Sequence, residues 1–353
     1  MYVAWRDLRF ARGRFALIGA VVALITLLVG FLSGLTGGLA AQNVSAVLAL
    51  PGDRLVLQPV GGASATFADS EIDDTTVAAW RGAEGVETVT PVGILSARAE
   101  GSGATAGVAL FGLDAGTTLA APSDDDEVDL STGAATALGT AVGDSVSIAG
   151  STYRVAAVGG DLSYSHLPVI SLTTAAWKTL DERLGGSGRA TVLAVSGTAA
   201  WDTVAADTGT VASTPLSSLT ALPTFRSEIG SLALMIAMLF GVSALVVGAF
   251  FTVWTMQRAA DIAVLKALGA STPALLRDAL GQALVVLLVG VGVGIGATVA
   301  LGLVAGGTLP FALNPLTTVL PALVMVVLGL FGAAVSLRTV TSSDPLTALG
   351  STR

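Results

Sequence analysis

One histidine, His166 in the run SYSHLP, and no cysteine stand in a chain of 353 residues. Those counts exclude disulfides, thiolate nucleophiles and thiolate metal sites, and no hydrolase triad can be assembled. A lone histidine is more often structural than catalytic, and the sequence around it offers no second ligand. The acidic run SDDDEVD at 123–129 lacks the glycine-bearing loop of an EF-hand and reads as a solvated loop. Asn43-Val-Ser45 fits the pattern of a glycosylation acceptor. Lys178 and Lys266 are the only lysines, and neither follows the glycine spacing of a phosphate-binding loop. No catalytic residue and no metal site are expected, the chain is not expected to be an enzyme, and any ATP chemistry belongs to a partner.

The elements that carry these residues are set by apolar blocks. Only 12% of the chain is charged, against about a quarter in soluble proteins. A bilayer core needs roughly 20 apolar helical residues, and four stretches supply them: 15–40, 229–255, 279–305 and 316–337. An insert, 41–228, separates the first two, and a short outer loop, 306–315, precedes the last. The run Phe15–Leu32 exceeds the roughly 7–15 residues of a signal-peptide core, so the first block is read as a span. The lead-in 1–14, the loop 256–278 and the tail 338–353 hold nine basic residues against four acidic ones. The remainder holds eight against 21. By the positive-inside rule the termini and the 256–278 loop are cytoplasmic and the insert lies outside, in a multi-pass protein of the plasma membrane.

The cytoplasmic loop has its own pattern. Ile262, Leu265 and Leu268 recur at helical spacing, giving an amphipathic helix over about 259–268. Asp261 and Lys266 suit its dipole, and Gly269 is placed to end it. Ser271 or Thr272 then caps the next helix, with Pro273 in its first turn. Two readings stand on physics alone: a helix lying on lipid headgroups, or one seating apolar anchors in a protein groove.

Gly30, Gly34 and Gly38 fall every fourth residue in the first span, and Gly290, Gly292, Gly294 and Gly296 form two overlapping small-residue pairs in the third. Such faces admit close helix approach in lipid, and the first is assigned to a homodimer seam. Ionisable residues are absent from the middle of every span, which argues against a self-energised ion-coupled transporter. The insert reads as an α+β domain. Val146 and Ile148 alternate, Ala149-Gly150-Ser151 turns, and Tyr153, Val155 and Ala157 alternate back. A further strand is expected at 108–114 and helices at 75–82 and 173–184. The fold class is thus membrane α-helical, four transmembrane helices with an α+β extracytoplasmic domain between the first and second.

The loop QRAADIAVLKALGAS resembles the signature of the FtsX/MacB-type ABC transporter permeases, with Asp261 where that family commonly has glutamate. The ending SSDPLTALG, the opening AWRDLRFARGRFAL, the hairpin GDSVSIAGSTYRVAAVG and the order of one span, outer domain and three spans are similar to the same family. The resemblance implies a coupling helix, with Arg258, Asp261, Ile262, Leu265, Lys266 and Leu268 docking on a cytoplasmic ATPase. It also implies two permeases paired with two ATPases, amid membrane lipid and without nucleic acid. The opening and the small outer domain look most like the haem-exporting permeases of Gram-positive bacteria. That implies an ATP-driven exporter of an apolar or amphipathic substrate, haem the leading candidate, with no stably bound cofactor. Glu228, Met235 and Met238 are then candidate substrate contacts, against the plainer reading of the methionines as packing residues. The alternative is a transmitter that activates an extracytoplasmic partner or extracts lipoprotein without moving a small molecule.

Overall fold

A computed structural model describes residues 12–114, 121–257, 264, 271–306 and 309–341. Four of its helices are long and apolar enough to cross a membrane. They are α1 (Arg12–Leu48), α7 (Pro223–Gln257), α8 (Thr272–Ala305) and α9 (Pro315–Thr341). Contacts divide the chain into two units, one of residues 39–230 and one of residues 1–38 with 231–353.

The 39–230 unit is a mixed sheet with short helices. Its strands are β1 (Arg54–Leu57), β2 (Val86–Glu100), β3 (Thr105–Leu113), β4 (Glu127–Leu130), β5 (Ser145–Ile148), β6 (Ser151–Val158), β7 (Ser163–Tyr164), β8 (Leu167–Thr173), β9 (Val192–Gly197) and β10 (Val211–Ser213). The helices α2 (Asp74–Gly82), α3 (Thr132–Leu138), α4 (Thr174–Arg183), α5 (Trp201–Thr208) and α6 (Pro215–Ser218) connect them. Strand order is β10-β1-β9-β2-β3-β8-β4-β6-β5, and β5 also pairs with the end of β2, so six strands close on themselves. The 15-residue β2 makes both parts possible: Val86–Val92 pairs with β9, and Gly93–Glu100 pairs with β3. Inside the closed part lie Val108, Leu110, Val146, Ile148, Val155, Ile170 and Leu172, the alternate positions of strands with one buried face.

Local chemistry explains the boundaries. The β5–β6 hairpin turns on two residues, Ala149 and Gly150, both with positive φ, while Ser151 already pairs with Ile148. Two such residues match the twist of the flanking strands, so the turn is one residue shorter than the sequence suggests. Three of the seven residues in the acidic run are not in a solvated loop: Glu127, Val128 and Asp129 lie in β4, and Glu127 pairs with Arg154. Burial raises the Asp129 carboxyl above its usual range.

Asp73 caps α2, accepting from the Thr76 amide at 2.8 Å and the Thr75 hydroxyl at 2.7 Å. Those bonds, the backbone one first, hold its pKa down at about 2, from 3.8. Its stabilisation is therefore full above pH 3.8 and is lost as pH falls through about 2. Asp73→Ala is expected to lower the thermal midpoint at neutral pH, whereas Asp73→Asn, still a good cap, keeps it and removes that acid dependence; thermal melts at pH 2 to 7 check both.

Helix α1 continues beyond residue 40 because its end has a core of its own to enter. Val44, Val47 and Leu50 are buried with Leu55, Leu57, Phe111, Leu113 and Tyr164. Burial pushes the Tyr164 phenol up to about 12, so it stays neutral.

In the other unit, Ile18, Val22 and Val29 of α1 share a core with Val247 and Phe251 of α7, Val286, Leu287 and Val291 of α8, and Met325 of α9. Close approach is glycine-made. A methyl group on Gly290 would stand 2.9 Å from the Gly19 carbonyl, and one on Gly294 would stand 2.6 Å from that of Ala23. One of the two expected pairs on α8 is thus used against α1, while Gly292 and Gly296 face open space. Ser271 stands at the N-cap of α8 without a side-chain capping hydrogen bond. Helix α7 is the least enclosed of the four, with Leu234, Met235, Met238, Val242 and Leu245 exposed.

Candidate functional site

Three polar side chains distant in sequence meet within the 39–230 unit. Asn43 comes from α1, His166 from the β7–β8 turn and Glu228 from the first turns of α7. His166 Nε2 lies 2.8 Å from Glu228 Oε2, Asn43 Nδ2 donates to the same oxygen at 3.2 Å, and Asn43 Nδ2 stands 3.3 Å from His166 Nε2. Asn43 is fully buried, and its Oδ1 has no hydrogen-bond partner. The His166 and Glu228 side chains keep 33% and 25% of their surface open to solvent, so the cluster has a closed floor and an accessible mouth.

The backbone holds this arrangement firmly. Ser165 and His166 are the two turn residues between β7 and β8, with φ of 50° and 67°. Left-handed backbone at non-glycine residues carries strain that surrounding structure must hold. The turn is docked on α1: the Ser165 and His166 amides donate to the carbonyls of Asn43 and Gln42 at 2.9 and 3.1 Å. The Ser45 hydroxyl donates to the Ser163 carbonyl and accepts from the Ser163 amide. Asn43-Val-Ser45 is therefore not a glycosylation acceptor, because both polar side chains are committed inside a helix-to-hairpin junction.

The other residues singled out by sequence fall elsewhere. Arg258, Asp261, Ile262, Leu265, Lys266 and Leu268 lie outside the described residues. Met235 and Met238 are 52% and 64% exposed on α7, as lipid- or ligand-facing residues would be. The Gly30, Gly34 and Gly38 face is filled from within the chain. Gly30 faces Thr298, Gly34 faces the Phe311 ring and Gly38 faces the Pro310 backbone. Ala312 N donates to the Gly34 carbonyl at 3.0 Å, and the Phe31 and Phe311 rings pack in a tilted pair at 5.2 Å between centroids. The spacing revealed a contact face, which Thr298 and the 309–314 segment fill from within the chain. In the sequence Asn43 reads only as part of the Asn43-Val-Ser45 pattern, and nothing local ties it to His166 or Glu228.

Residues 17–211 match the MacB-like periplasmic core domain, and residues 233–345 match the FtsX-like permease C-terminal domain. The chain belongs to this family: it is an FtsX/MacB-type ABC transporter permease, a multi-pass membrane protein with an extracellular domain between its first and second spans. Among its relatives, the "Putative hemin transport system permease protein HrtB" of Staphylococcus haemolyticus is 25% identical over 370 residues, covering 99% of each chain. The protein of the same name from Staphylococcus epidermidis strain RP62A is 23% identical over 373 residues, again 99% of each. Among solved structures, the extracellular domain of the noncanonic ABC-type transporter YknZ from Gram-positive bacteria is similar at TM-score 0.32 and 16% identity, covering 44% of this chain and 87% of that one. The periplasmic region of MacB from Actinobacillus actinomycetemcomitans is similar at TM-score 0.35 and 12% identity, covering 48% and 92%.

Proposed function

We propose that this permease is the membrane subunit of an ATP-driven exporter that moves an apolar or amphipathic substrate, with haem the leading candidate, from the membrane to the outside. The observation that carries this reading is similarity along 99% of both chains to proteins named as hemin transport permeases. The termini and the 256–278 loop are then cytoplasmic, and residues 41–228 lie outside. Two copies pair with two ATPase subunits, and the loop residues Arg258, Asp261, Ile262, Leu265, Lys266 and Leu268 take up the stroke of ATP hydrolysis. This chain contributes the path. Met235 and Met238, exposed one turn apart on α7, offer thioethers and an apolar surface to a flat ligand, in the segment that Glu228 opens.

Titrating haemin into the detergent-solubilised permease is expected to give a saturable, shifted Soret band that weakens in Met235→Ala/Met238→Ala. No shifted band in either protein would remove haem as the substrate while leaving the exporter class standing. The transmitter reading uses the same architecture. ATP-dependent haem efflux from vesicles holding the permease and its ATPase supports export, and its absence together with capture of an extracytoplasmic partner by the full chain supports transmission.

A further inference from the structure

The export reading names Glu228 as a candidate substrate contact but makes no use of its meeting with Asn43 and His166, and the inference below goes beyond that reading and does not depend on it. Their three converging atoms stand 2.8, 3.2 and 3.3 Å apart. Donors sharing one face of a zinc-class ion at about 2.1 Å stand roughly 3.0 to 3.4 Å from one another, so the triangle is nearly the right size to hold one. Among the described residues no three His, Cys, Asp or Glu side chains cluster; here the third donor is an amide. In this amide orientation Glu228 Oε2 accepts from both His166 and Asn43, which leaves the buried Asn43 Oδ1 without a partner. Turning that amide over exchanges its oxygen and nitrogen and brings Oδ1 into the triangle beside Nε2 and Oε2.

We propose that Asn43 Oδ1, His166 Nε2 and Glu228 Oε2 form a binding site for a single divalent transition-metal ion of the zinc class. One imidazole, one carboxylate and one amide oxygen form a borderline donor set suited to Zn²⁺ or Co²⁺, with water completing the shell on the exposed side. Porphyrin iron does not fit all three, because a haem offers one axial position on each face, so the ligand is the free ion. The strained backbone at His166 has a physical role in this site: a left-handed two-residue turn docked on α1 aims the only imidazole of the chain at Glu228. The bound ion would tie the end of α1, the β7–β8 turn and the start of α7 together.

The test is Co²⁺ titration of the full-length permease in detergent, followed by its visible d–d absorption. One equivalent per chain is expected, displaced by Zn²⁺. His166→Ala and Glu228→Gln should each weaken binding by more than the roughly 10- to 100-fold that loss of an outer-shell partner costs. Asn43→Asp, which replaces a neutral oxygen donor with a charged one, should tighten it, a result that a purely structural hydrogen-bonded latch would not give. X-ray absorption on the Zn²⁺-loaded wild type needs no variant and should show one imidazole with oxygen otherwise. No saturable binding, binding that His166→Ala and Glu228→Gln leave unchanged, or a zinc shell without imidazole would each overturn the proposal. The haemin titration reads a different signal, so either result can fail alone.

Discussion

Replacing Ile262 and Leu265 together with aspartate is expected to release the ATPase from the permease and abolish transport. Each apolar anchor seated in a groove contributes about 1.5–3 kcal/mol, so their joint loss weakens docking by roughly two to four powers of ten. Retention of the cassette ATPase during purification of the tagged permease is the readout, followed by ATP-dependent transport in vesicles. Charge-neutralising changes at Asp261 and Lys266 should have effects of only a few fold, because exposed ion pairs contribute about 0–1 kcal/mol. That contrast is informative: a helix lying on anionic headgroups would respond mainly to Lys266, and a docked one mainly to Ile262 and Leu265. Full ATPase recovery with the double aspartate variant would place the coupling surface elsewhere.

The second large effect lies in the extracellular domain. Gly93 and Gly112 face each other across β2 and β3, and the Trp177 indole of α4 lies over both. A methyl group on Gly112 would stand 2.5 Å from Trp177 Cγ, and Trp177 is only 3% exposed, so the ring has no free space to move into. Gly112→Val is expected to cost about 3 kcal/mol, the upper end of ordinary overpacking, and Trp177→Ala about 3–5 kcal/mol. Either is a large part of a typical domain stability of about 5–15 kcal/mol. The double variant tests the mechanism, since valine partly fills the space that the indole leaves. It should melt above Trp177→Ala alone, and additive losses in the detergent-solubilised chain would refute the slot.

Both predictions draw on features with different legibility. The spacing of Ile262, Leu265 and Leu268, which lie outside the described residues, predicts an amphipathic helix because helical periodicity is a local property. The four apolar blocks declare spans for the same reason: hydrogen bonding in lipid forces each long apolar run to satisfy its own backbone. The β5–β6 hairpin was visible because its turn residues and alternation are adjacent, and only its length needed the positive φ of Ala149 and Gly150 to be known. The Trp177 slot was invisible, since two glycines 19 positions apart and a later tryptophan share no local signal.

From its sequence alone this protein had determined its membrane-crossing class and the α+β character of its insert. Each depends on composition or on periodicities of two to four residues, which local backbone geometry fixes. Tertiary structure alone decided who fills the faces so created. The Gly30–Gly38 stripe meets the chain's own Phe311 and Pro310. The acidic run yields a strand paired with β6 and β8. Asn43, His166 and Glu228, 62 to 185 residues apart, meet at one point. Periodicity states that a surface will be buried; long-range strand pairing and helix docking choose its partner.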